Sequence, residues 1–358
     1  MPQKGIISYM HILHINLAKG FRGGERQTGL LIDGLTEAYP KIKQTLLVRE
    51  DSPLPDALKK KHKISVIKIR KPYILSIFKI KNDVDIIHAH EAKACHIAYL
   101  LAKKNNTPYI ITRRMDRAPK RDWFTKSIYR NVSHIVSLSS AIETIILKQY
   151  PLAESSIIPS MNASLVTEDN AVNKITQQYP NKIIVGHIGA LVKKHKGQHL
   201  IIDAAKKLEL SHPNIQFLLL GSGKDEDALK KQAQGLKNVV FLGYHSDIGN
   251  YIRAFDIFIF PSLEEGLGST LLDVMEAKIP IIASKAGGIP DIIRHNENGI
   301  LIPPKNSSAI IDAILMLIEN KKLAQQLSEK GYSEIQQYKP DTISRRYMTI
   351  YKNITRPT

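Results

Sequence analysis

The sequence predicts an α/β protein of two doubly wound domains, and three observations carry that prediction. Short aliphatic and β-branched runs alternate with helix-like stretches from end to end. The rhythm breaks once, in a polar stretch near the middle, and the 358 residues are enough for two cores. Continuous apolar strands separated by helices are the pattern of parallel sheets covered on both faces.

In the first half the strand-like runs are "HILHINL", "QTLLVRE", "ISVIKIR", "DIIHAH", "YIITR" and "HIVSLS"; in the second they are "IIVGHIGAL", "IQFLLLGSG", "VVFLGY", "DIFIFPS", "IPIIAS" and "GILIPP". Between them, in "IIPSMNASLVTEDNAVNKITQQYPNK", strand periodicity stops while Ser, Asn, Thr and Asp accumulate, which places the joint near residues 162–181. The expected organisation is a first domain over 1–165, a second over 166–335, and a terminal helix over 336–358 packing back on the first.

Composition narrows the class. The single cysteine, Cys95, cannot form an intramolecular disulfide, and no Cys/His cluster has zinc spacing, so a reducing, cytoplasmic setting without a structural metal is expected. The opening "MPQKGIISYMHILHINLA" sets a basic residue before an apolar stretch, but His11, His14 and Asn16 interrupt it, and it reads as a buried strand rather than a signal peptide. No run reaches the roughly 18 to 20 apolar residues of a spanning helix. The formal net charge of +18 is uneven: residues 1–165 hold 27 Lys and Arg against 13 Asp and Glu, leaving +4 for the remainder. That field favours an anionic partner without choosing among nucleic acid, acidic lipid and acidic substrate.

One stretch concentrates the chemistry. In "PSLEEGLGSTLLDVMEA", Glu265 and Asp273 flank a turn with Gly266 and Gly268, between the strand-like "DIFIF" and a helix starting near Ser269. Ligands of open parallel sheets bind at such strand-to-helix turns. Glycines admit close approach, helix-start amides suit phosphate, and Ser269 and Thr270 add hydroxyls. Carboxylates repel phosphate, so Glu265 and Asp273 suit hydroxyls of a sugar and a ribose. Diphosphate between two polyols describes a nucleotide sugar. Elsewhere in this half, "HIGALVKKHKG" brings Lys193, Lys194 and Lys196 to another such turn, "LLLGSG" and "VVFLGY" place Gly221 and Gly243 for contact with a nucleobase, and "ASKAGGIPDII" adds Gly287 and Gly288.

Taken together, these motifs resemble the GT-B retaining glycosyltransferases of family 4, whose second domain carries a proline-serine turn and paired acids with seven residues between them, here "PSLEEGLGSTLLD". "GGER" at 23–26, "DIIHAHEAKA" at 85–94 and "SLSSAI" at 137–142 extend the likeness to the first half. The resemblance implies two Rossmann-like domains facing across a cleft and metal-independent transfer of a sugar from a UDP-, GDP- or ADP-sugar, with no cofactor and with retention of configuration. It casts Glu265 beside the transferred sugar, Asp273 on the ribose, Lys196 on the diphosphate, and Gly24 in a loop that closes on the phosphates. Three departures stand out. Asp273 replaces the commoner Glu; Ala190 stands where an arginine is usual, leaving Lys193 or Lys194 to supply that charge; and Arg113 and Arg114 in "TRRMDR" replace a common imidazole. A guanidinium stays protonated, so Arg114 is expected to hold an anion rather than act as base.

Several candidates complete the expectations. "DVD" at 83–85 reads as an entry turn to a strand, not a metal-binding acid pair. His88 and His90 are expected on opposite strand faces and therefore not to share an ion. His88 reads as a core residue, Cys95 as a buried helix residue, and His90, Glu91 and Arg113 as acceptor contacts. The basic stretches 59–81 and 113–130, the latter with Trp123 and Phe124, suit peripheral contact with anionic membrane.

The expected activity is sugar transfer to a glycan or glycolipid, such as lipopolysaccharide core or another surface polysaccharide. A same-fold nucleotide-sugar epimerase or silent binding protein is the rival reading. A nicotinamide dehydrogenase is disfavoured because the first strand leads into "AKGFRGGERQTG" rather than G-x-G-x-x-G. Nucleic-acid binding is disfavoured by the absence of a helix-turn-helix or zinc-finger signature and by scarce aromatics.

Overall fold

The computed structural model describes residues 10–78, 80 and 83–355. The chain divides into two compact units, Met1–Met161 with Gln337–Thr358, and Asn162–Gln336. The division thus falls at 161/162 and 336/337.

Unit 1 runs β1 (His11–Asn16), α1 (Gly23–Ala38), β2 (Lys43–Arg49), β3 (Ser65–Ile69), β4 (Ile86–Ala89), α2 (Ala92–Asn105), β5 (Tyr109–Arg113), α3 (Trp123–Asn131), β6 (His134–Ser137), α4 (Ser140–Gln149) and β7 (Ser155–Ile157). Unit 2 runs α5 (Asp169–Gln177), β8 (Ile183–Ile188), α6 (Lys193–Lys196), α7 (Gln198–Leu208), β9 (Ile215–Leu220), α8 (Glu226–Gln232), β10 (Val239–Gly243), α9 (Ile248–Arg253), β11 (Ile257–Phe260), α10 (Thr270–Glu276), β12 (Ile281–Ser284), β13 (Ile300–Ile302), α11 (Ser307–Glu319) and α12 (Lys321–Glu334). The last helix, α13 (Pro340–Thr355), returns to unit 1 and packs on α1.

Each unit holds one parallel sheet, in the order β3-β2-β1-β4-β5-β6-β7 and β10-β9-β8-β11-β12-β13. All twelve apolar runs become strands. The additional strand, β7, has three half-buried residues on the sheet edge and too little apolar character to stand out.

The cores follow from the alternation of side chains along each strand. On one face of the first sheet, Ile12, Ile86, Ile110 and Val136 meet Leu31 and Leu35 of α1 and Ile343, Tyr347 and Tyr351 of α13. The second sheet buries Val185, Phe217, Leu219, Ile257 and Ile259 against α7 and α11. In both sheets the order turns back at one place, between β1 and β4 and between β8 and β11, and a doubly wound sheet opens a ligand crevice beyond the strand ends at such a point.

Candidate active site

In unit 2 the loops leaving β8 and β11 meet at the turning point. The amides of Leu263 and Glu264 both donate to the His195 carbonyl, at 2.8 and 3.2 Å, and the His195 ring lies 2.8 Å from the Glu264 carboxylate. One residue further along each loop, the Lys196 ammonium donates to the Glu265 carboxylate. This ion pair is largely shielded, with side chains 24% and 15% exposed, and the lysine also stands 5.3 Å over the Phe260 ring. The sequence singled out both residues; their direct pairing emerges only from the fold.

Backbone contacts fix this pair. The Glu265 carbonyl accepts from Gly288 N at 3.0 Å, and Gly287, at φ 53°, passes so close that a Cβ there would sit 1.9 Å from the same oxygen. Gly221, at φ 132°, lies equally tight: its Cβ would meet the Gly189 carbonyl at 2.0 Å, while its amide donates to Gly243 O at 2.7 Å. These glycines let successive strand-end loops touch through their main chains. Beneath them His187, buried at the end of β8, bonds Ile259 O through Nδ1 at 2.9 Å and meets Gln198 Nε2 through Nε2 at 3.3 Å; Gln198 donates in turn to Ala190 O. Burial pushes His187 down to about 4, so the ring is neutral and ties β11 to the start of α7. Neither His187 nor Gln198 was singled out from the sequence, although "GHIGA" followed by "KGQH" places both beside the glycine turns.

The remaining donor-side candidates are distributed around this centre. Gly268 takes φ 88°, α10 starts at Thr270, and the N-cap Ser269 does not spend its hydroxyl on capping. Asp273 is buried in the first turn of α10. Lys193 departs from the expected arrangement: with Lys194, His199, Gln232, Leu263, Glu264 and Lys305 it lines a separate recess of about 600 Å³, whereas Lys196 turns to Glu265.

In unit 1 the corresponding strand ends gather buried imidazoles and one arginine. His14 Nδ1 lies 3.0 Å from His90 Nε2, and His14 Nε2 lies 3.0 Å from Gln44 Oε1. His90 Nδ1 faces Arg114 Nη2 at 3.4 Å. Arg114 also adjoins Gly24, where a Cβ would lie 3.6 Å from the arginine Cδ. Burial lowers His14 to about 4 and His88 and His90 well below the usual imidazole range, with the neighbouring rings and Arg114 adding to the effect.

Three expectations need correction here. His88 and His90 share a face, with ring centroids 3.8 Å apart, because residues two apart in a strand point the same way. With His14 they place ligand-type nitrogens within 4.8 Å of one another, a spacing that can hold a metal ion, yet each ring nitrogen already has a hydrogen-bond neighbour. His90 and Glu91 are not presented as acceptor contacts. His90 is 2% exposed, and the Glu91 carboxylate caps α2, accepting from Lys93 N and Ala94 N at 2.7 Å and from Leu17 N at 3.2 Å. Arg113 points away from Arg114, donating to Arg117 O and standing 6.0 Å over the Tyr129 ring.

Other readings hold. His88 is a satisfied core residue between Tyr351 and Thr112, each at 2.7 Å. Cys95 is buried on α2, its thiol pushed up to about 12. Asp83 and Asp85 form the entry to β4, bonding the His11 ring and amide at 2.7 Å. Lys79 and Lys81 of the first basic stretch lie outside the described residues. Among the described residues, no helix is long and apolar enough to cross a membrane.

The family model described as Glycosyl transferases group 1 matches residues 169–334. The phosphatidyl-myo-inositol mannosyltransferase of Mycobacterium leprae is 25% identical over 290 residues, covering 77% of this chain and 75% of that protein. The UDP-Gal:alpha-D-GlcNAc-diphosphoundecaprenol alpha-1,3-galactosyltransferase of Escherichia coli is 23% identical over 355 residues, 89% of this chain and 91% of that one. Among solved structures, Anabaena Alr3699/HepE in complex with UDP gives a TM-score of 0.83 at 21% identity, covering 96% of this chain and all of that chain. That likeness is one of fold, the GT-B kind with its two Rossmann-like units.

Proposed function

From the premise that residues 169–334 form a group 1 glycosyl transferase domain, we propose that this chain moves a sugar from a nucleoside diphosphate sugar to a glycan or lipid-linked acceptor, with retention of configuration. The observation that carries the reading is the Lys196–Glu265 pair at the turning point of the second sheet, inside the matched region. An arriving diphosphate competes for Lys196 as a stronger, multiply charged acceptor. Glu265 is then released to accept hydrogen bonds from hydroxyls of the transferred sugar. Ser269 and Thr270 add donors for phosphate, Asp273 serves the ribose, and the main chain at Gly221 and Gly243 borders the base.

In a front-face reaction the bond from the anomeric carbon to the diphosphate breaks while the acceptor oxygen bonds on the same face. The acceptor proton passes to the leaving phosphate oxygen. The protein then contributes orientation and charge stabilisation rather than a base. Arg114 of unit 1, a half-buried cation whose Nε is enclosed and unpartnered among the described residues, is suited to a phosphate oxygen.

The names of the two relatives specify a phosphatidyl-myo-inositol and a diphosphoundecaprenol-linked sugar, which supports a lipid-linked acceptor here, as in lipopolysaccharide or surface-polysaccharide synthesis. Unit 1 carries a surface to match. Trp123 and Phe78 are 79% and 74% exposed, Lys104 stands over Phe78 and Lys103 over Tyr99, an aromatic and basic mixture suited to anionic headgroups at the inner face of a cytoplasmic membrane. UDP is the first donor to try, since the E. coli relative and the HepE complex both involve it.

The test is transfer from UDP-, GDP- and ADP-sugars to lipid-linked and free glycan acceptors, by wild type and Glu265→Gln. The substitution is expected to keep nucleotide binding and to lower transfer by roughly 10²- to 10³-fold. Full transfer by Glu265→Gln would refute the role of Glu265, and an isomerised donor without transfer would favour the epimerase.

A further inference from the structure

The imidazole cluster of unit 1 has a direction that can be read from its hydrogen bonds. Gln44 Nε2 lies 2.8 Å from Thr36 Oγ1 and 3.2 Å from the Ile32 carbonyl, and a carbonyl only accepts. The amide orientation is therefore fixed, and Gln44 Oε1 is an acceptor. Its neighbour His14 Nε2, at 3.0 Å, must carry the proton. A neutral ring then leaves His14 Nδ1 with a lone pair, so His90 Nε2, 3.0 Å away, must be the donor. By the same step His90 Nδ1 carries a lone pair, and it faces the Arg114 guanidinium at 3.4 Å. Burial of both rings, at 0% and 2% exposure, opposes protonation, and so does the adjacent guanidinium.

We propose that His90 is a positioning residue: His14 and Gln44 hold it in the Nε2–H form, so that its Nδ1 lone pair steers the Arg114 guanidinium toward a phosphate oxygen. No carboxylate forms an ion pair with this arginine among the described residues, although Glu25 of α1 acts on it through its field; its Nε is buried without a partner, and its stem passes Gly24 in the first turn of α1 rather than in the loop expected there. A cation held by a neutral lone pair keeps its charge for an incoming anion, whereas a carboxylate in that place would neutralise it. The same arrangement commits the ring nitrogens of the cluster to hydrogen bonds. A cation at the shared nitrogens would displace the inter-ring hydrogen bond between His14 and His90 and stand beside the guanidinium.

The proposal rests on the transferase reading for what Arg114 binds, but its first test does not. Nitrogen-15 spectra of histidine-labelled protein should show His14 and His90 as Nε2–H tautomers with unprotonated Nδ1, unchanged from pH 8 to pH 5. The groups acting on His90 are His88 of β4, His14 of β1 and Arg114 after β5; behind them His11 acts on His14, Tyr347 of α13 and Glu25 of α1 act on Arg114, and Tyr351 of α13 bonds His88. Finding His90 as the Nδ1–H tautomer or as an imidazolium at pH 7 would overturn the proposal, whether or not any sugar nucleotide is turned over.

The second test compares His90→Gln with His90→Leu. Glutamine can reproduce both bonds, with an amide donor for His14 and a carbonyl acceptor for Arg114, and should stay within about 3-fold of wild type. Leucine should cost roughly 10- to 100-fold, the scale of a misplaced charged group. If that loss appears as weaker UDP binding, the phosphate belongs to the donor. If it appears as a raised KM for a phosphate-bearing lipid-linked acceptor, the phosphate belongs to the acceptor. Equal losses for Gln and Leu, or no loss for Leu, would contradict the steering role.

Discussion

The two strand-end clusters occupy the same topological place in their sheets and are built by different means. In unit 2 the loops touch main chain to main chain: Gly287 against the Glu265 carbonyl, Gly221 against the Gly189 carbonyl, with a single ion pair presented on that frame. In unit 1 side chains do the equivalent work, as Gln44, His14 and His90 hand a hydrogen-bond direction across the sheet to Arg114. A frame of backbone contacts tolerates no added atom. A frame of buried imidazoles tolerates no added proton.

The largest effect expected from this contrast is on unit 2. Gly287→Ala adds a Cβ 1.9 Å from a backbone oxygen at a left-handed position, and something in the main chain must move. Chemical denaturation should show a loss of about 3 kcal/mol or more, with transfer falling as Glu265 is displaced. A variant of native stability would mean that the loops are compliant and that the frame is not set by the backbone.

An effect of comparable size should appear on unit 1 when the pH is lowered. His14 falls to about 4 in the folded chain from an unfolded value of 6.5, and burial lowers His88 and His90 well below the usual imidazole range as well, against His187 alone among the fully buried rings described in unit 2. Between pH 6.5 and about 4 the unfolded chain binds protons that the folded rings refuse, so stability is complete above this window and falls as acid is added. His14 alone accounts for on the order of 3 kcal/mol across the window. Amide exchange should show β1 and β4 losing more protection than β8 and β11 between pH 7 and pH 5. Equal losses would erase the proposed difference between the units.

The same contrast explains what could be read from the sequence. Backbone-built features leave glycines and strand-turn-helix rhythm behind, so twelve strands and the positions of Gly221, Gly287, Glu265 and Lys196 were legible. The pairing of Lys196 with Glu265 was not, because it depends on two loops 69 residues apart meeting at one turning point. Side-chain frames leave a weaker trace. "HILHIN" and "HAH" contain the rings, but which face each presents, and that Gln44 of a third strand sets their protons, follows only from the register of β1 between β2 and β4. Reading the pleat with its period of two would have put His88 and His90 on one face. Arg113 and Arg114 likewise look interchangeable in sequence, and the strand end turns them in opposite directions.

The most direct test of the account is the thermal shift produced by UDP on wild type, Lys196→Ala and Glu265→Gln. A ligand that binds only the folded state raises the melting temperature according to its concentration and affinity. If Lys196 is the diphosphate cation and Glu265 its resting partner, UDP should stabilise wild type and Glu265→Gln and leave Lys196→Ala nearly unmoved. An equal rise in all three, or a rise lost in Glu265→Gln but kept in Lys196→Ala, would contradict the assignment of this pair as the donor site.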